Sequence, residues 1–239
     1  MKKTALCVVA LTSLIGTSAV AADMAVKAPP PPIAPAATWT GCYVGIEGGG
    51  NWGETHSIAA AGPNVGATHS PSHDLSGGLF GGTLGCNYQI TTNWVIGAEG
   101  DFSWTDQRGS AVTPPPFNTT VTITDTERWF GTARGRIGYL SNNLLIYATG
   151  GAAWTQLNLL EGNATFSESE NRVLSGGTVG GGVEWRFAPQ WSAKAEYLYV
   201  VYTPVQFFGV ACCTLENRHL TDDIFRVGVN YSFGISPGK

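Results

Sequence analysis

The stretch IFRVGVNYSF, residues 224–233, decides the fold. Phe225, Val227, Val229, Tyr231 and Phe233 alternate with Ile224, Arg226, Gly228, Asn230 and Ser232. Period-two alternation of this length marks a strand whose two faces meet different surroundings. One face carries rings and branched aliphatic groups; the other carries a guanidinium and an amide. The neighbouring segments decide which of the two faces hydrocarbon.

Working outward, the same alternation recurs seven times, and the expected strands are 39–52, 79–90, 94–105, 128–139, 144–155, 178–187, 191–201 and 224–233. Three connections are short (91–93, 140–143 and 188–190). Four are long (53–78, 106–127, 156–177 and 202–223) and rich in Gly, Pro, Ser, Thr and Asn. Short turns at one end and long loops at the other are the layout of an up-and-down barrel that spans an outer membrane. The sequence therefore reads as all-β: an eight-stranded antiparallel transmembrane β-barrel over residues 39–233.

The faces agree with a lipid exterior. Glu99 and Asp101 oppose Trp94, Ile96, Phe102 and Trp104; Arg134 and Arg136 oppose Trp129, Ile137 and Tyr139. Glu184 and Arg186 oppose Val183, Trp185 and Phe187, and Lys194 and Glu196 oppose Trp191, Tyr197 and Tyr199. A charge facing mid-bilayer costs about 2–4 kcal/mol, so charges collect on the inner parity. All eight tryptophans fall near strand ends, Trp39, Trp94, Trp185 and Trp191 at one end, Trp52, Trp104, Trp129 and Trp154 at the other. Rings placed at both membrane interfaces give two girdles; a soluble core would gather them mid-strand.

The N-terminus has the plan of an export signal. Lys2 and Lys3 precede an apolar core and the small residues Ala19-Val20-Ala21-Ala22, so residues 1–22 read as a cleaved signal peptide and 23–38 as a Pro-rich periplasmic lead. Without Lys2 and Lys3, 11 basic and 17 acidic side chains remain, a formal charge of −6. Nucleic acid is excluded as a partner, because phosphate neutralisation needs clustered Lys and Arg. Charged residues make up only 13% of the chain and Gly 32 of its 239 residues, a poor composition for a water-facing surface.

The segments WTGCYVGIEGGGNWG, NWVIGAEGDFSWT, RWFGTARGRIGYL, LLIYATGGAAW, TVGGGVEWRF and WSAKAEYLYV together resemble the small outer-membrane β-barrels of the alphaproteobacterial surface-antigen kind, the opacity-like "porin family". The resemblance implies a surface-exposed barrel serving envelope integrity, with outer-membrane lipid and lipopolysaccharide around it and the barrel-assembly machinery as its folding partner. Val229, Tyr231 and Phe233 resemble the C-terminal signal read by that machinery, which in the family ends at the aromatic residue. Here residues 234–239 follow as a short tail.

The inward parity is expected to hold Glu47, Glu99, Asp101, Glu184 and Glu196 against Arg128, Arg134, Arg136, Arg186, Lys194 and Arg226. Eight strands leave an interior that side chains fill, and buried charges must be paired, so a mutually neutralising lumen network is the expected arrangement rather than an open channel. A narrow pore, or loops that capture haem or a host molecule, are the alternatives. A lipid A-modifying barrel enzyme is the rival from another class. No catalytic, cofactor or metal site is expected: His56, His69, His73 and His219 fall in the long connections, and no nucleophile elbow or zinc signature is present. The spacing His69-x-x-x-His73-Asp74 suits a metal but lies in a Gly/Ser/Pro-rich loop. Phe207, Phe208 and Val210 suggest an exposed apolar patch beside Cys212 and Cys213. Cys42 and Cys86 lie at similar depth on neighbouring strands, so a cross-strand bridge is open.

Overall fold

The computed structural model describes residues 38–62, 64–165, 167–209 and 214–233. Residues 1–37, where the signal peptide and most of the Pro-rich lead are expected, lie outside them, as do Val210, Cys212, Cys213 and residues 234–239. Eight long strands form the wall: β1 (Gly41–Ala59), β2 (Thr68–Gln89), β3 (Trp94–Thr105), β5 (Thr122–Ser141), β6 (Leu144–Gly162), β7 (Ser167–Ala188), β8 (Trp191–Tyr202) and β10 (Thr214–Phe233). Two five-residue strands, β4 (Arg108–Val112) and β9 (Val205–Gly209), sit in the connections after β3 and β8. Consecutive wall strands pair antiparallel, and β1 pairs with β10 from Cys42–Phe233 to Ala59–Glu216, which closes the ring.

The register measures the stagger. From Gly48 one way round, Phe80 and then Trp104 lie opposite. The other way, Val227, Ala195, Val183, Ile146 and Tyr139 lead to Trp94. The two paths meet β3 ten residues apart. With about 3.3 Å per residue and about 4.7 Å between strands, that stagger over eight strands tilts them by about 40°. Trp94 and Trp104 are then separated by about 25 Å along the barrel axis, the height of an outer-membrane apolar band.

Outside, the rings form the expected belts. Trp94 packs edge-on to Tyr139 and Trp191 to Tyr231 near the short turns; Phe102 packs against both Trp104 and Trp129 at the other end. Trp39 does not join them. It is buried at the short-turn end, with the Arg186 guanidinium 4.1 Å above its ring. Cys42 and Cys86 stand directly opposite across β1 and β2 and form a disulfide.

The long connections are not loops. β1 and β2 continue as a hairpin to Ala59 and Thr68, and β6 and β7 to Gly162 and Ser167, so four wall strands reach 19 or 22 residues. The polar composition of these segments predicts loops; regular pairing prevails because their inward positions carry Leu75, Leu157, Leu159 and Leu174, which pack together inside. All four histidines therefore lie on strands: His56 on β1, His69 and His73 on β2, His219 on β10.

Inward curvature needs close approach at particular positions. A Cβ on Gly151 would lie 2.1 Å from the Ala133 carbonyl oxygen, so only glycine fits where β6 crosses the base of Arg134.

Candidate functional site in the barrel lumen

The inward positions of seven strands converge on one charged cluster. Arg226 on β10 lies at its centre, fully buried: its guanidinium pairs with Glu47, reaches Glu196 at 2.7 Å, and meets both Asp101 oxygens at 3.0 Å. Arg134 spans Glu99 at 2.6 Å, Asp101 at 3.1 Å and Glu196 at 3.0 Å, while its Nε donates to Thr132. Lys194 Nζ lies 3.1 Å from Glu47 and 3.2 Å from Glu99. Arg136 pairs with Glu184 at 3.0 Å and lies between the Tyr43 and Tyr147 rings, 5.0 and 5.1 Å from their centroids. The two phenols donate onward, Tyr43 to Glu99 at 2.6 Å and Tyr147 to Glu196 at 3.0 Å. Glu184 also accepts from Ser192 and Asn230.

Nine of the eleven residues expected in the lumen network thus come together in it. Arg186 lies inside but serves a different layer: it donates to the Thr38 carbonyl at 2.9 Å and covers Trp39. Arg128 is a correction. It is exposed on the outer wall, because residues 128 and 129 together face Gln156 in a β-bulge between Glu127 and Phe130. The extra residue reverses the parity of β5, sending Arg128 out and Glu127 in. Trp129 Nε1 donates to Gln156 at 2.8 Å across the bulge.

Toward the long-loop end the lumen changes character. Phe130, Leu157, Leu174, Leu198, Leu220 and Ile224 are among fourteen buried residues of an apolar plug that the alternation did not reveal. Phe207 belongs to it, which corrects the expected patch at this residue: the ring is fully buried, with the Arg218 guanidinium 5.9 Å from its centroid, while the Phe208 side chain and Val210 lie outside the description.

A second polar cluster lies beyond the upper tryptophan belt. His69 Nδ1 is 2.7 Å from Glu216 and 3.9 Å from Glu161; His73 Nε2 is 3.0 Å from Asp125; Arg218 pairs with Asp125 and with Glu216 at 2.9 Å. Burial works against the charged His69 imidazole, but the Glu216 hydrogen bond and the charges of Glu216 and Glu161 raise it above its usual value. Burial also works against charged His73, and the Asp125 hydrogen bond and Pro71 carbonyl raise it. Burial would push the Glu216 carboxyl up, yet the His69 hydrogen bond and Arg218 bring it down to about 2. Ser70 Oγ lies 3.5 Å from His73 Nδ1, giving a hydroxyl–imidazole–carboxylate chain in which Ser70 is fully buried.

The comparisons with known proteins agree with this architecture. Residues 8–233 match the model of the outer membrane protein beta-barrel domain family. The chain belongs to that family. The 31 kDa outer-membrane immunogenic protein of Brucella melitensis is 33% identical over 234 residues, covering 93% of this chain and 97% of that protein. The 25 kDa outer-membrane immunogenic protein of Brucella canis is 30% identical over 225 residues, covering 90% and 91%. The outer membrane protein OprG from Pseudomonas aeruginosa shares the fold at a TM-score of 0.52 and 15% identity, covering 82% of this chain and 97% of that one. This barrel is an outer-membrane protein, and its alternating faces are lipid-facing and lumen-facing.

Two adjacent positions test that assignment in opposite senses. Arg226→Met removes the central cation that Glu47, Asp101 and Glu196 share; it is expected to lower stability by about 3–5 kcal/mol. Val227→Arg puts a cation on the lipid face and is expected to lower stability by about 2–4 kcal/mol. Urea unfolding of both variants in lipid vesicles measures the two losses, and a neutral result at either position contradicts the assignment. The upper cluster adds a pH dependence. Because the folded imidazoles titrate higher than unfolded ones, their stabilisation is complete below about pH 6.5 and is lost as pH rises through the folded values. Amide exchange in the β1–β2 extension, corrected for intrinsic rates, is expected to accelerate at pH 8 relative to pH 6, and a double His69→Ala, His73→Ala variant to lose that difference.

Proposed function

We propose that this barrel is a structural and display protein of the envelope with a closed lumen, presenting its extended hairpins outside the cell. The observation that supports the reading is a succession of buried layers on the inner parity. Along the axis the lumen holds Trp39 under Arg186, the Arg226-centred charge cluster, the apolar plug and the His69–Arg218 cluster in succession. Displacing these groups to admit a solute exposes paired charges one after another, and breaking a single such pair costs about 3–5 kcal/mol. The relatives' names, outer-membrane immunogenic proteins, fit surface display.

Lipid and lipopolysaccharide are the immediate partners. Arg128 is exposed on the wall beside Trp129, which stands opposite Trp104 in the upper belt. A guanidinium at that height suits lipid phosphate groups, which it binds in a bidentate fashion. A hydrolytic or acyl-transfer role is not part of this reading, since the hydroxyl of the one Ser–His–Asp chain described is buried.

Single-channel recording tests the closed lumen: purified protein in planar bilayers is expected to give no steady conductance steps, and reproducible steps of one size overturn the proposal. Recognition by the assembly machinery is assigned to Val229, Tyr231 and Phe233, of which Phe233 ends β10 opposite Cys42. In cells, Phe233→Ala is expected to reduce the heat-modifiable, membrane-inserted form at least several-fold. Undiminished insertion removes the assignment.

A further inference from the structure

We propose that His69, Glu161 and Glu216 form a binding site for one first-row divalent metal ion of the zinc class at the long-loop end of the lumen. Three strands far apart in sequence, β2, β6 and β10, each supply one donor: His69 Nδ1 and a carboxylate oxygen from each glutamate, all within 4.8 Å of one another. All three side chains are buried. Ligand atoms around a tetrahedral zinc ion at about 2.0–2.2 Å stand about 3.3 Å apart. The present separations from His69 Nδ1, 2.7 Å to Glu216 and 3.9 Å to Glu161, bracket that value.

The surroundings are those of a built site. Glu216 divides its oxygens: Oε1 accepts from Arg218 at 2.9 Å, while Oε2 faces His69 and accepts the Ser57 hydroxyl at 2.6 Å. Arg218 is held in turn by Asp125, so the ligand carboxylate is oriented by a fixed second layer, as metal sites require. The Phe117 ring packs edge-on to the imidazole, 4.7 Å between centroids, and fixes its plane. The donor set selects the metal class: an imidazole nitrogen favours zinc and its neighbours over magnesium and calcium, which prefer oxygen ligands throughout. Two carboxylates and one imidazole leave a coordination position for water. The site is independent of whether the lumen conducts.

Isothermal titration of the metal-stripped, folded full-length barrel with zinc chloride near neutral pH tests the proposal. One saturable equivalent per chain is expected, undiminished by millimolar magnesium or calcium. His69→Ala and Glu161→Gln are each expected to weaken binding at least about ten-fold. His56→Ala and His219→Ala, which remove the stacked imidazole pair across β1 and β10, are expected to leave it unchanged. Absence of a saturable equivalent overturns the site, as does binding lost with His56→Ala and kept in His69→Ala. Where His69→Ala fails to give the heat-modifiable form, Glu161→Gln, which keeps the side chain's shape, decides: unchanged affinity overturns the proposal.

Discussion

Inside hydrocarbon no backbone N–H or C=O can be left without a partner, and the pairing of β1 with β10 is what meets that demand. Closure fixes the rest. Eight strands with a ten-residue stagger set the barrel's width, and the width sets how much side chain must fill it. A lumen of this bore is lined by the inner parity of strands whose outer parity is committed to lipid. The inner residues therefore have no second environment to choose. They neutralise one another, as around Arg226, or pack as oil, as around Phe130.

The charged layer shows why neutralisation takes the form of a web rather than separate pairs. Arg226 and Arg134 share Asp101 and Glu196, and Lys194 shares Glu99 with Arg134. Each carboxylate oxygen desolvated by burial needs about one strong donor, and a planar guanidinium supplies several in fixed directions. Tyr43 and Tyr147 extend the web by one hydroxyl each while their rings cover Arg136. Such a web has one good arrangement, which gives the short wall strands β3 and β8 a defined inner surface to fold against.

Much of this was legible in the chain because a strand's period of two survives any register. Glu99 with Asp101, Arg134 with Arg136 and Lys194 with Glu196 announce the inner face, and the tryptophans announce the membrane edges. Three things were not legible, each for a physical reason. The bulge at residues 128 and 129 inverts parity with no glycine or proline to flag it, so the alternation alone places Arg128 on the inner face. The extensions of β1, β2, β6 and β7 read as loops because, beyond the bilayer, the outer face is free to be polar and only Leu75, Leu157 and Leu174 keep the beat. The His69–Glu161–Glu216 cluster is assembled from residues 92 and 55 positions apart, a closeness that the barrel's winding creates and no local pattern records.

The extended hairpins also bear on how such a surface diversifies. Because β1 and β2 stay in register as far as Thr55 and His73, one residue inserted just before Thr55 would turn Thr55 outward and bring His56 inward. The same insertion at 60–67, between the strands, changes no parity. Length variation is thus partitioned by geometry: within a paired shaft one extra residue reverses parity, as at residues 128 and 129, whereas at a tip it does not. Change in chain length is freest in the few residues at each crown, above shafts whose spacing the lumen holds constant.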